Sequence, residues 1–366
     1  MKHQGRPVDG LLYSGCMVLL AIGIVMVFSA SSIRAMKSYN DPYYFLKRQL
    51  IWAGLGLIIM TVLANIHYVR LRKIATTVMA ISLLFLVLVL VPGIGKVING
   101  SRRWIGIGQI GFQPSELCKG VFVLFMAASL SERGKELNNP VKGLLPYVLL
   151  IGVIFGLVLK EPDLGTGIAI AGTGFMLLFA GGIAVWQLTA IGVVALPVLW
   201  HAINSATYRR NRFLAFLNPW ADPTGTGYHI IQGLYALGSG GPFGLGFMRS
   251  RQKWLYLPEP HTDFIFAVIG EELGFIGCLA VISLFMLIAW RGYRISMTAP
   301  DRFGSLLAAG MTTMIILQAI VNIGVVTASL PVTGIPLPFI SSGGSSLMTN
   351  LAAVGVLLNI SRYTVE

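Results

Sequence analysis

Charge is what this sequence has least of. Only 11% of its 366 residues are Asp, Glu, Lys or Arg, against roughly 25% in an ordinary soluble domain, while 55% are hydrophobic and the mean hydropathy is +0.77. Too little charge is present to coat a water-facing surface, so a soluble globular protein is excluded. Cysteine is scarce as well. Cys16, Cys118 and Cys278 all fall inside apolar runs without CxxC or metal-type spacing, so they read as small buried hydrophobes. The five histidines are scattered, and no HExxH, GxSxG or GxxxxGK[ST] string occurs. These absences remove the usual signatures of zinc proteases, serine hydrolases and nucleotide-driven pumps. No internal repeat supports an inverted-repeat transporter, and nucleic acid is not needed as a partner to explain the basic balance.

What is present is long apolar sequence. Ten stretches approach the roughly 20 residues that one bilayer crossing requires: 11–30, 49–65, 74–92, 114–130, 144–160, 165–182, 184–203, 264–290, 303–327 and 343–361. Runs such as Ile81–Val91 are continuously apolar, unlike the alternating strands of a membrane barrel. The fold class expected is an all-α polytopic membrane protein of about ten helices, a single membrane domain over residues 1–366. Ser29-Ala30-Ser31 faintly resembles a signal-peptidase site, but the apolar run before it is long for a signal core, so it is expected to remain as the first helix.

One connection, 204–263 between the seventh and eighth segments, is long. It is rich in Gly, Pro and aromatics, which suits a packed loop with short helices, and Tyr228–Leu237 has helical periodicity compatible with a helix lying along the interface. With the N-terminus placed in the cytoplasm beside Lys2 and Arg6, the two faces carry nearly equal numbers of Lys and Arg, Lys135 being one on the inner side. Leaving out the long connection favours N- and C-termini inside. The outer face is then unusually basic, which fits an anionic partner there.

The net charge of +13 rests on only 14 acids, and several sit at helix ends or in apolar segments, where ionisable groups mark function by default. Asp263 opens the eighth segment. It reads either as a helix N-cap or, with Arg249, Ser250, Gln252, Lys253, Glu259 and His261 just ahead of it, as a general base or metal ligand. Glu271 is eight residues on, about 12 Å along a continuous helix, too far for a glycosidase-type carboxylate pair, so Glu271 and Glu272 read as buried pairing groups. Glu116 and Lys119 are either an i,i+3 ion pair or the setting of a substrate-binding lysine. Glu161 and Asp163 flank Pro162 at the same outer level, where helix initiation explains the proline but not two acids. Arg103 and Trp104, within Asn99–Trp104, suit interfacial anchoring or phosphate recognition. The Gly334–Ser346 string cannot be regular helix through its prolines, and could line a cavity with backbone. Within it, Ser342 and Gly343 sit where Gly343-Gly344 allows close approach to a ligand or simply a turn.

Taken in order, Asn99–Ile105, Gln113–Lys119, Glu161–Thr166, Asn218–Pro223, Ser250–Glu259, His261–Gly274 and Gly334–Ser346 resemble the SEDS family of bacterial cell-wall proteins (shape, elongation, division and sporulation). The Tyr256–Phe266 string is most similar to its FtsW and SpoVE branch. The resemblance implies a peptidoglycan glycosyltransferase that polymerises lipid II at the outer face of the bacterial cytoplasmic membrane, for division or sporulation. Within that family an essential aspartate at this loop-to-helix junction maps onto Asp263. It also implies a class B penicillin-binding protein as transpeptidase partner, beside other divisome or sporulation membrane proteins. In the mechanism expected, Asp263 activates an acceptor hydroxyl directly or through Mg2+ or Mn2+. Arg103, Lys119, Arg249 and Lys253 would neutralise diphosphate charge, and Glu116, Glu161 and Asp163 would hold those bases. A lipid II flippase and a non-enzymatic division scaffold are the competing functions.

Overall fold

The computed structural model describes residues 7–98, 100–107, 110–134, 137, 139–254 and 256–364. Lys2, Arg6, Asn99 and Lys135, used above in the charge and motif readings, lie outside them.

The first three apolar runs fold as α1 (Gly10–Tyr39), α2 (Tyr44–Asn65) and α3 (Tyr68–Leu88). A small antiparallel sheet follows, β1 (Gly95–Ile98), β2 (Ser101–Ile107) and β3 (Ile110–Phe112), with Lys96 opposite Trp104 and Ile105 opposite Phe112. The all-helical expectation did not include this sheet. Next come α4 (Pro114–Arg133), α5 (Leu145–Lys160), α6 (Leu164–Ala180) and α7 (Val185–Asn204). The long connection carries α8 (Thr207–Leu217) and α9 (Tyr228–Gly240), and α10 (Ile265–Thr298), α11 (Arg302–Val326) and α12 (Gly344–Ser361) complete the chain. Among the described residues nine helices are long and apolar enough to cross a bilayer, and α6, with 17 residues, is a tenth, shorter apolar helix. The ten apolar stretches of the sequence therefore each become one helix.

α11 and α12 are the most enclosed, and α2, α4 and α10 pack around them. Helix α9 does not lie free along an interface. Ile230, Ile231, Gly233 and Ala236 are buried as it packs on α10 and α11. Its last residue fixes the closeness of that contact, since a Cβ on Gly240 would sit 1.9 Å from the Gly270 carbonyl oxygen.

Two contacts give the bundle a vertical scale. At one end Arg291 donates to Asp9 at 2.8 Å, and the Asp9 N–H donates to Ser361 at 3.1 Å, tying α1, α10 and α12 together. Farther along the same helices Ser29 donates to Glu272 at 2.7 Å. Roughly twenty helical residues separate the two contacts on either helix, about 30 Å, which matches the hydrocarbon thickness of a bilayer. Glu271 and Glu272 thus sit near the membrane boundary opposite Asp9, and α1 and α10 continue beyond it.

At that level α10 is broken. Gly274 has φ +67, and the freed carbonyls of Glu271 and Glu272 accept from the N–H groups of Leu245 and Gly246 at 2.9 and 3.0 Å. In return Phe275 and Ile276 donate to Gly241 and Pro242 at 2.9 and 3.2 Å. The loop after α9 supplies what the helix lost, as interrupted backbone at a membrane requires.

Candidate active site

A cavity of about 500 Å³ opens at the end of the bundle away from Asp9, lined from α2, the sheet, the start of α4, the long connection and the α11–α12 linker. Asp263 lies in its wall. The N-cap reading fails: α10 begins at Ile265, Phe264 is its cap residue, and no side chain caps it. The Asp263 carboxylate accepts no hydrogen bond within the described residues, so it is left for something else. Its backbone, in contrast, is firmly held. Asn322 donates one N–H to the Asp263 carbonyl at 2.9 Å and another to Ile335 at 2.8 Å. Ser341 donates to the Thr262 carbonyl at 2.6 Å, and the Ser342 N–H donates to His261 at 2.8 Å. Linker and loop-to-helix junction are therefore one unit.

Gly334 explains why the linker can approach so closely. Its φ is +80, and a Cβ there would lie 3.4 Å from Asp263 Oδ2. The expectation that Gly334–Ser346 lines a cavity with backbone agrees with this placement.

Protein surrounds Asp263 while part of its surface stays open to the cavity. That enclosure pushes its pKa up to about 6; the Glu259 carboxylate adds to the rise, and Arg212 and Arg103 oppose it. His261 is buried against the Phe45 ring, 4.2 Å between centroids, and its Nδ1 has no partner in the described structure. Burial, with Arg34 nearby, holds it down to about 3, so it is neutral at physiological pH. Glu259 pairs with Arg34 at 2.8 Å.

The cavity brings together Arg103, Trp104, Glu116, Glu259, His261, Asp263, Ser342 and Gly343 from the candidates named above. The other seven lie elsewhere. Lys119 pairs with Glu116 at 2.8 Å and donates to Gln318 at 2.8 Å, while Gln318 reaches Pro336 and Ser346. The i,i+3 pair is real, and Lys119 stands behind the wall rather than in it. Asp163 pairs with Arg103 at 3.5 Å and accepts from Gln113 at 3.0 Å, so it stands behind a cavity cation. Arg103 also donates to the Glu161 carbonyl at 2.9 Å and to Pro162. The Glu161 carboxylate is buried without hydrogen-bond partners in the described structure, and burial beside Asp163 raises its pKa to about 8.

Arg249, Ser250, Gln252 and Lys253 are corrected more sharply. Ser250 donates to Glu271 at 2.5 Å, and the N–H groups of Arg251 and Gln252 also point at that carboxylate. Lys253 is buried in an ion pair with Glu272 at 2.9 Å and donates to Ser29. Arg249 is exposed on the same loop, away from the cavity lining. The two adjacent glutamates demand partners, and this loop exists to supply them. Ser250-Arg251-Gln252-Lys253 has the SxxK spacing of serine acyl-transfer enzymes, but both polar ends are consumed in that knot.

Sequence reasoning missed Arg48, Gln49 and Trp52 of α2, Gln113, Arg212 of α8 and His229 of α9, all of which line the cavity. Gln49 and Trp52 lay in a stretch read only for hydropathy, Gln113 within a motif, and Arg212 and His229 in the long connection. For the divalent cation, the described residues hold no group of three His, Cys, Asp or Glu able to bind a metal. Asp263 offers a carboxylate there that no side chain engages among the described residues, and Mg2+ is commonly held by one or two carboxylates plus substrate phosphates.

The sequence profile of the FtsW, RodA and SpoVE proteins, described as "Cell cycle protein", matches residues 10–366. Stage V sporulation protein E of Bacillus subtilis (strain 168) is 47% identical over 364 residues, covering 100% of both chains. A probable peptidoglycan glycosyltransferase FtsW of Geobacter sulfurreducens is 45% identical over 343 residues, 94% of this chain and 92% of that one. Among solved structures, the rod shape determining protein RodA of Thermus thermophilus superposes with a TM-score of 0.72 at 30% identity, covering 98% of each chain. A chain from a structure described as "Structural coordination of polymerization and crosslinking by a peptidoglycan synthase complex" superposes with a TM-score of 0.79 at 32% identity, over 97% of this chain and 98% of that one.

Proposed function

This chain belongs to the FtsW, RodA and SpoVE family, and from that premise we propose that it polymerises lipid II in the cavity around Asp263. The activity is that of a peptidoglycan glycosyltransferase, the name carried by full-length relatives at 40–45% identity. The observation that carries the site is the unused Asp263 carboxylate: held by its backbone, engaged in no cap, open to a cavity rich in guanidinium and hydroxyl groups.

In the reaction proposed, Asp263 takes the proton of an acceptor sugar 4-hydroxyl. The oxygen attacks the anomeric carbon of a lipid-linked donor with inversion. The bond from that carbon to the diphosphate breaks, and undecaprenyl diphosphate leaves with the electron pair. A base with a pKa near 6 is ionised at neutral pH yet basic enough to be useful. Arg103, oriented by Asp163, offers charge to the leaving diphosphate from the cavity wall. Mg2+ or Mn2+ would be held by Asp263 together with diphosphate oxygens, and would supply charge neutralisation there.

Both ends of the described chain meet in the Asp9–Ser361 contact, opposite the cavity. That geometry supports cytoplasmic termini with the cavity facing outward across the bacterial cytoplasmic membrane. Since a similar solved structure is a synthase complex for polymerisation and crosslinking, a class B penicillin-binding protein is the partner proposed for crosslinking, with other division or sporulation membrane proteins around it.

Purified protein with its transpeptidase, given lipid II in detergent, tests the reading. Glycan chains are expected from the wild type and none from Asp263→Asn. A flippase or a scaffold would make no glycan in detergent, where nothing can be flipped. Chains formed equally well by Asp263→Asn would remove Asp263 from the chemistry.

A further inference from the structure

The cations around the cavity are nearly all held. Arg103 has Asp163 and two carbonyls, Lys119 behind the wall has Glu116 and Gln318, Arg34 has Glu259, and Arg48 donates to Tyr44 at 3.1 Å. Arg212 differs. It lines the same cavity from α8, it is exposed at the rim, and no hydrogen bond or ion pair engages its guanidinium among the described residues. Its contact there is the face of Tyr208, 5.9 Å from the ring centroid, a weak hold at such an exposed site.

Its position is nevertheless set. The Tyr208 hydroxyl donates at 3.2 Å to the Pro162 carbonyl, the acceptor that Arg103 also uses. One turn between α5 and α6 therefore seats both the fixed Arg103 and the helix that carries Arg212. Arg212 acts electrostatically on both Asp263 and His229 across the cavity. A guanidinium has five donors and suits phosphate oxygens in a forked geometry. A fixed arginine on one wall and a free one at the rim would grip a diphosphate from two sides, the free one closing after the substrate has entered.

We propose that Arg212 is a catalytic residue that closes onto the diphosphate of the lipid-linked donor and neutralises the charge that builds as the glycosidic carbon–oxygen bond breaks. This rests on the glycosyltransferase reading above, but the binding arm of its test does not. The charge that develops in the transition state is complete in the released product, so affinity for a free polyprenyl diphosphate reports the same contact.

The experiment compares wild type, Arg212→Ala and Arg212→Lys as purified complexes in detergent. It measures binding of undecaprenyl diphosphate and undecaprenyl monophosphate, and then the kcat and KM of lipid II polymerisation. Because Arg212 is exposed, the variants should keep the wild-type melting temperature. Arg212→Ala should bind the diphosphate about tenfold more weakly, the loss of one charge-assisted contact, with little change for the monophosphate. Its kcat should fall about 100-fold with a smaller change in KM, and Arg212→Lys should recover part of both. Equal diphosphate affinity in wild type and Arg212→Ala overturns the proposal, as does a wild-type kcat in Arg212→Ala or a wild type that binds no diphosphate. If the wild type binds diphosphate through Arg212 but makes no glycan, the parent reading fails and the catalytic role with it, and Arg212 is a diphosphate ligand only.

Discussion

The role proposed for Asp263 is reached by elimination. At a loop-to-helix junction the ordinary use of an aspartate is to cap the helix, but α10 starts two residues later and takes no side-chain cap. Asn322 and Ser341 fix the surrounding backbone while leaving the side chain free. Its pKa near 6, against about 3.9 for an aspartate in water, makes a pH test possible. The base works ionised, so polymerisation should rise with pH through about 6 and level off above it. A rate unchanged well below that pH would point to another base. Gly334 offers a second test beside it. Gly334→Ala places a methyl 3.4 Å from the carboxylate at φ +80, a conformation that costs an L-residue roughly 1–2 kcal/mol. Polymerisation should drop more than tenfold with only a modest loss of melting temperature, because a small misplacement of the base is expensive.

At the scale of elements, the interruption of α10 organises the long connection. The break at Gly274 and the adjacent Glu271 and Glu272 create buried carbonyls and carboxylates that must be satisfied, and residues 241–253 satisfy them. Removing one partner of a buried ion pair leaves the other uncompensated, at about 3–5 kcal/mol. Lys253→Met alone should therefore lower the melting temperature strongly, and Lys253→Met with Glu272→Gln should recover much of the loss. A substrate-contacting Lys253 would behave otherwise: the double variant would be stable and still fail to bind lipid II. The pairing role of Glu271 and Glu272 was legible in the sequence, since two adjacent acids on an apolar helix have few other options. The identity of their partners was not, because Ser250–Lys253 lies close to Asp263 in the chain and reads as site. The sheet was not expected although Asn99-Gly100 is a strong hairpin signal, because Arg103 and Trp104 beside it are equally typical of a membrane-interface anchor.

For the whole molecule, the contacts of Asp9 with Arg291 and Ser361 put both ends of the described chain at one end of the bundle. Single cysteines substituted for Lys37 or Trp254, both exposed, should react with an impermeant maleimide in intact spheroplasts. One substituted for Met297, exposed at the end of α10 beyond Arg291, should react only after permeabilisation. The reverse pattern would put the cavity inside and exclude outer-face synthesis. Chelation addresses the cation at the same scale: EDTA should reduce glycan formation and Mg2+ or Mn2+ should restore it. Full activity in EDTA would leave Asp263 acting without a metal.

Hydropathy is additive along the chain and needs no partner, so the ten apolar helices and the membrane could be read from the sequence itself. Asp263 too stood out there as a candidate, a rare acid at a membrane-bounded junction, with the family motifs favouring chemistry over capping. Which cations face it is a matter of distance between segments far apart in the chain. Only tertiary structure could place Arg212 of α8, Arg48 of α2 and the 334–346 linker around one carboxylate, and only it could show Lys253, ten residues from Asp263, turned toward Glu272.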